Sequence, residues 1–317
     1  DTESLKPLHP KYVSTVDSGN LAGHMLALRQ FCLEVPDWRF IDLKVLDGLS
    51  DTLSIIIEEI DRLGRDSTKN ESSVVTTEEL RERFVECLRL LVPPESDDFS
   101  AWAAHLIRVR QAIEEAAKDL GHLDQKKWQK VNLWTDLALR QIHEVQGDLT
   151  IIAPWVLVEF RNPNTHGLKE ILRPLEPNAP LGLLLQSLNQ AIDELKIQPL
   201  PSGVGASSFE VRKTLSESLS KSKLFIERIL VDAKDAADWL DLKFKEMNFS
   251  FLLDSEREIF SIGYNVTEMK ADGGFYDLLG SESRLASFIA IAKGDVPQEH
   301  WFRLGRQLIP VDGERAL

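Results

Sequence analysis

Residues 99 to 121 read FSAWAAHLIRVRQAIEEAAKDLG. Within them Phe99, Trp102, Leu106, Val109, Ile113, Ala116 and Leu120 recur at intervals of three and four, which lines one side of a helix, and Gly121 follows where a helix C-terminus favours glycine. The same rhythm extends in both directions. Upstream, Thr76 followed three residues later by Glu79 has capping-box spacing and opens a helix carrying Leu80, Phe84, Leu88 and Leu91, which Pro93 and Pro94 stop. Leu21, Met25, Leu28, Cys32 and Val35 predict another, with Asp17 or Ser18 at its cap. Downstream, helices are expected from Trp128 to Gly147, from Leu183 to Leu195 and from Phe209 to about Met247. The last would be roughly 55 Å long if unbroken, and its serine-rich half predicts a bend near Ser222. A final helix begins near Ser281. Strand content is small: Phe249, Phe251, Ile259, Ser261 and Gly263 alternate around Asp254 to Arg257 and predict one β-hairpin. Pro199 to Ser208 and Gly64 to Ser73 lack periodicity and are expected as surface loops. The fold class is therefore all-α, with one small hairpin.

Composition narrows the chemistry. The 317 residues are 43% hydrophobic and 28% charged, the balance of a folded water-soluble chain. With 37 Lys and Arg against 51 Asp and Glu the net charge is −14, which repels phosphate backbones, so no nucleic acid partner is expected. The longest nearly apolar run, Ile151 to Val158, contains Pro154 and is far shorter than the roughly 20 residues of a bilayer span, so no direct membrane span is expected. Cys32 and Cys87 sit in apolar helical patterns and read as free buried thiols of a reducing compartment. The opening at Asp1, without a signal peptide, reads as an excised piece of something larger. Gly203 and Gly205 lack the preceding strand and third glycine of a phosphate loop, and His143 and Glu144 meet Gly147 where a second zinc ligand belongs. No metal and no cofactor are expected for this segment. Trp102, Trp128 and Trp134 fall within helical periodicity and read as core; Trp38 and Trp301 are freer.

Two segments do not look like scaffold. Residues 12 to 28 read YVSTVDSGNLAGHMLAL, a polar turn leading into a helix whose early side is small at Gly19, Ala22 and Gly23. Residues 274 to 294 read GFYDLLGSESRLASFIAIAKG, where a polar turn again feeds a helix with Ala286, Ser287 and Ala290 on a narrow face. LAGHMLAL and LASFIAIA align without a gap, and paired inner helices with polar residues at one end suit the rim of a binding cavity. Asp17, Ser18, Asn20, Ser281 and Glu282 are equally good cap and first-turn residues, so helix capping is the competing account.

The strings YVSTVDSGNLAGH, FSIGYN, FYDLLGSESRLASFIAIAKGDVP and HWFRLGR resemble the central region of the cyclic β-1,2-glucan synthases, large bacterial membrane enzymes. The resemblance covers both ends, roughly Asp1 to Glu34 and Phe249 to Val311, and leaves the middle without a motif. It implies a membrane-embedded glycosyltransferase part that uses UDP-glucose, a central cyclising part similar to β-1,2-glucanases with an (α/α)6 barrel, and a C-terminal part resembling glycoside phosphorylases. This chain resembles a piece of the cyclising part, so the resemblance implies helical hairpins of a toroid. The implied domains are a barrel-type motif helix at 1–36, a helical middle block at 37–247 that is either an insertion or part of the toroid, and the hairpin with a second motif helix at 248–317.

Ring closure by retaining transglycosylation requires two carboxyl groups about 5 to 5.5 Å apart. The resemblance puts the catalytic glutamates in motifs that follow this segment, so no catalytic residue is assigned. Asp17, Ser18, Asn20, Asp277, Glu282 and Arg284 are the implied substrate-binding residues, orienting sugar hydroxyls at the cavity mouth. The implied partners are a β-1,2-glucan chain and other parts of the same polypeptide, and the implied place is the cytoplasmic side of the bacterial inner membrane. Two other readings stand beside this one. The segment is a non-catalytic scaffold that docks the cyclising part to the rest of the synthase, or it is a self-sufficient glycosidase using Asp17 or Asp277 with Glu282.

Overall fold

The computed structural model describes residues 2–41, 43–66, 75–96, 98–124, 126–156, 170–197, 206–307, 309–311 and 314–316. The chain divides into two compact units, one of Pro36–Leu230 and one of Asp1–Val35 with Val231–Leu317. It is mostly helical with a small antiparallel sheet.

In the first unit four helices close into a bundle: α2 (Lys44–Asp66), α3 (Thr77–Arg89), α4 (Phe99–Ala117) and α5 (Gln129–Ile152). Each packs on its chain neighbour, and α2 also packs on α5, so every apolar stripe has two partners. Their shared core contains Leu53, Ile56 and Ile60 of α2, Phe84 of α3, Val109 and Ile113 of α4, and Val131, Ala138 and Ile142 of α5. The expected capping box is present: the Thr76 hydroxyl accepts the Glu79 N–H at 3.2 Å, and the Glu79 carboxylate accepts the Thr76 N–H at 3.0 Å. Asp98 caps α4 by accepting the Ala101 N–H at 2.7 Å. Phe99 meets Trp155 edge-on at 5.2 Å and ties the start of α4 to the segment after α5.

Three expectations need correction here. α2 is a strongly amphipathic helix that the expected set does not include. α5 runs on through Gly147 to Ile152, because a single glycine costs a helix only about 1 kcal/mol and packing outweighs it. α7 (Ala206–Glu246), which follows α6 (Leu181–Ile197), passes Ser222 without a break, since the Ser222 hydroxyl donates to the Ile152 carbonyl instead of competing for its own helix. The expected loop residues 67–73 and 199–205 lie outside the described residues.

The second unit brings together the two motif segments. β1 (Tyr12–Ser14) pairs antiparallel with β2 (Gly263–Asn265), which pairs with β3 (Lys270–Ala271); Val13 faces Tyr264, and Tyr264 faces Ala271. The ladder thus lies beyond the expected hairpin, where only Leu253 and Phe260 bridge around the Asp254 turn. Phe249 and Phe251 flank or enter a short 3-10 turn rather than a strand. Gly263 is required at its place because the Tyr12 ring lies where any side chain would stand. α1 (Thr15–Glu34) leaves β1 directly, and α8 (Arg284–Lys293) ends at Gly294 in the left-handed conformation, φ +83°. Short α9 (Glu299–Arg303) follows, then the pair β4 (Ile309–Val311) and β5 (Glu314–Ala316). The core of this unit holds Ala22, Phe249, Leu252, Phe260, Ala286, Ile289, Ala290 and Val296.

Candidate functional site

α1 and α8 touch through their small residues. A Cβ placed on Gly19 would come within 2.5 Å of the Ala286 Cβ and 2.6 Å of its Cα, so these two backbones are in direct contact. One turn on, Gly23 faces Leu285 and Ile289. Gly19 is the fifth residue of α1 and Ala286 the third of α8, so the early turns of the two helices lie together.

At that end Ser14, not Asp17 or Ser18, is the cap of α1: its hydroxyl accepts the Asp17 N–H at 3.2 Å. Ser18 donates to the Ser14 carbonyl at 2.6 Å, a local bond that occupies its hydroxyl. Thr15 is buried and anchors the start of the helix to the two residues before β2, donating its hydroxyl to the Ser261 carbonyl at 2.6 Å and its N–H to the Ile262 carbonyl at 3.1 Å. Ser283 at the start of α8 makes no side-chain cap bond. Asp17 stands in the first turn of α1, where a negative charge suits the helix dipole. The Tyr276 hydroxyl donates to Glu282 Oε1 at 3.3 Å. The Tyr276 phenol is pushed above the usual tyrosine value by burial and by the negative charges of Glu282 and Asp17.

Tyr276 is a residue the sequence reading does not select. Nothing local marks it, because its relation to Asp17 exists only once α1 and α8 are packed. The other expected residues stand apart: Asn20, Asp277 and Arg284 are exposed, and no hydrogen bond or ion pair joins their side chains to this group among the described residues. The Asn20 carbonyl faces His24 Nδ1 at 2.7 Å, and the Asp277 carbonyl accepts the Gly305 N–H at 2.7 Å, so both act through their main chain.

A second polar arrangement lies behind α8. His300 is wholly buried, with Nδ1 2.8 Å from the Glu258 carbonyl and Nε2 2.9 Å from the Ser287 hydroxyl. A carbonyl can only accept, so Nδ1 carries the proton and Nε2 accepts from Ser287. Burial pushes the imidazole below its ordinary value. The pair resembles a nucleophile and base, but both side chains are buried and the third partner is a carbonyl, so its work is to hold α8 and α9 together. Beside it Lys293 pairs with Asp295 at 3.0 Å and donates to the Met247 carbonyl, while Asp295 accepts the Phe249 N–H at 3.0 Å.

Comparison with known proteins places this geometry in context. Along all 317 residues the chain is 30% identical to cyclic beta-(1,2)-glucan synthase NdvB of Rhizobium meliloti (strain 1021). The resemblance thus runs through the whole chain. It includes the helical middle, which carries no recognisable motif of its own. The chain spans 9% of that protein's length. No family model matches. Among the described residues no helix is long and apolar enough to cross a membrane.

Proposed function

We propose that this chain forms part of the cyclising, retaining-transglycosylase region of a cyclic β-1,2-glucan synthase, with the shared end of α1 and α8 contributing to the glucan-binding cavity. The observation that carries the reading is the bond from Tyr276 to Glu282 at that end, with the charge of Asp17 acting on the same phenol. Carboxylates and a phenol in one cluster suit sugar recognition, because ionised oxygens accept from hydroxyls through charge-assisted bonds and an aromatic face packs on a pyranose ring. Ser18, Asn20, Asp277 and Arg284 extend the same proposed rim. In this reading UDP-glucose serves the transferase part of the synthase, the substrate here is the β-1,2-glucan chain, and the segment works on the cytoplasmic side of the inner membrane.

A second observation supports a docking role beside it. Of the 20 residues of α1, only Thr15, Gly19 and Ala22 are buried, while Leu21, Phe31 and Leu28 are about half exposed. Those three share one face, and Leu26 and Leu33, 38% and 43% exposed, lie on the opposite one, a pattern that belongs to helices enclosed by others. The proposal therefore includes further helices of the same polypeptide against α1.

Asp17→Asn and Glu282→Gln in a full-length synthase test the first part. Loss of a charge-assisted bond costs about 1.5–3 kcal/mol, so ring formation from linear glucan, read by mass spectrometry, should fall about ten- to a hundredfold with the melting temperature unchanged. Normal ring formation with a lowered melting temperature would overturn the reading.

A further inference from the structure

Tyr12 is 44% exposed and yet held firmly in place. It lies on β1, an edge strand of the three-stranded sheet, opposite Asn265, while Gly263 stands opposite Ser14. The Tyr12 ring reaches diagonally across β2: a Cβ on Gly263 would stand against its Cε1, Cζ and Oη. The glycine thus leaves the room that the ring occupies. At the tip, the Tyr12 hydroxyl donates to Asp272 Oδ2 at 3.1 Å. Asp272 is fixed in its turn, with its Oδ1 accepting the Gly274 N–H at 3.2 Å and its own N–H donating to the Gly263 carbonyl at 2.9 Å. An exposed side chain ordinarily moves among several rotamers, and a ligand that orders it loses affinity to that ordering. At Tyr12 the fold has already done the ordering.

Packing accounts for part of this arrangement, since an aromatic ring laid over a cross-strand glycine supports the ladder of an edge strand. A phenylalanine would serve that purpose, so the hydroxyl and its carboxylate call for another reason. The surroundings supply one. Burial first, then Asp272 and last the Tyr276 phenol raise Tyr12 above the ordinary tyrosine value, so its hydroxyl stays protonated and the two phenols share one neighbourhood. Tyr276 is the residue bonded to Glu282 and subject to the charge of Asp17. Among the described residues no lysine or arginine pairs with Asp17, Asp272 or Glu282. A fixed aromatic face beside acceptor oxygens, without a cation, is complementary to a neutral pyranose, whose C–H groups pack on the ring and whose hydroxyls donate to the carboxylates.

We propose that Tyr12 is the stacking platform of the candidate site, carrying one neutral glucosyl ring of the glucan chain on its exposed face, with Gly263 and Asp272 as the positioning residues that hold it. This rests on the sugar-binding reading of Asp17, Tyr276 and Glu282, and adds to it the residue against which the sugar packs.

The test uses a full-length synthase given linear β-1,2-glucan, with KM and kcat of ring formation determined separately by mass spectrometry. Tyr12→Leu removes the ring at an exposed position. It should raise KM about three- to tenfold with kcat little changed, since a platform holds ground state and transition state alike. Tyr12→Phe keeps the ring and should stay within about twofold of the parent. Gly263→Ala pushes the ring aside and should raise KM as Tyr12→Leu does, yet add nothing in a Tyr12→Leu background, where there is no ring to displace. A lowered melting temperature with unchanged KM in Tyr12→Leu would confine the residue to the β1 and β2 ladder and overturn the proposal. Equal losses in Tyr12→Phe and Tyr12→Leu would also overturn it, by giving the work to the hydroxyl. If Tyr12→Leu leaves KM unaltered while Asp17→Asn and Glu282→Gln still impair ring formation, the platform falls and the sugar-binding cluster stands; normal ring formation in all three variants removes both.

Discussion

The contact between α1 and α8 makes a sharp prediction at Gly19. In an exposed helix, replacing glycine by alanine stabilises by about 1 kcal/mol through backbone entropy and propensity. At Gly19 the new methyl would sit 2.5 Å from the Ala286 Cβ, 2.6 Å from its Cα and 2.7 Å from its N. Two of those three atoms are main chain, so relief requires one helix to move away from the other. Overpacking of a close contact costs about 1–3 kcal/mol, and contact with backbone belongs at the upper end. The net expectation for Gly19→Ala is destabilisation of about 1–2 kcal/mol.

Gly23→Ala is the internal control. Its nearest neighbour, at 2.9 Å, is Leu285 Cδ2, the far end of a side chain that is itself partly exposed, so the leucine can turn aside. That variant should match the parent or exceed it by a few tenths of a kcal/mol, the part of the glycine-to-alanine gain left after a small rearrangement. Urea unfolding, with hydrogen exchange of the α1 and α8 amides as the local readout, separates the two. If Gly19→Ala proves as stable as Gly23→Ala, the backbone contact does not exist and the shared end of the two helices loses its support.

Two further outcomes follow from buried titratable groups. Burial pushes the Cys87 thiol up to about 11, so a thiol reagent near neutral pH should label half-buried Cys32 first and Cys87 only when the chain is unfolded; equal native rates would refute this. His300 and His105 are both held below their unfolded value of 6.5, chiefly by burial, so the unfolded chain takes up protons first as the pH falls. Their contribution to stability is whole above 6.5 and is lost as the pH drops below it toward their folded values. Most carboxylates do not titrate until lower pH, so a urea midpoint that stays flat just below pH 6.5 would contradict the neutral, buried state of both rings.

Which parts of this architecture can be read from the chain depends on how local their cause is. The helix at Phe99, the box at Thr76 and Glu79, and the small faces of LAGHMLAL and LASFIAIA are written within a few residues and appear in the structure as expected. α2 has the same spacing in Leu46, Leu49, Leu53, Ile56, Ile60 and Leu63, but the β-branched run Ile55 to Ile57 weakens its helical signal. α1 reverses the usual rule. Its leucines suggest a buried stripe, whereas the packed side consists of the small residues, because only they allow α8 to approach so closely. At the candidate site the carboxylates are legible as residues but not as a pair. Glu282 is bonded to Tyr276, Asp17 acts on that phenol through its charge, and the cap of α1 belongs to Ser14.

The two halves of the second unit are joined in space but far apart in the order of synthesis. About 250 residues separate the end of α1 from the start of α8. At a translation rate of about 5–20 residues per second, α1 emerges from the ribosome roughly 12 to 50 seconds before its partner. The bundle between them can close on local contacts in the meantime, whereas α1 has little to bury. During biosynthesis Leu21, Leu28 and Phe31 therefore belong to a nascent segment with the character of a chaperone client. Mutations in the intervening bundle that delay its folding should lengthen that wait, lowering yield without touching any residue of the α1 and α8 contact.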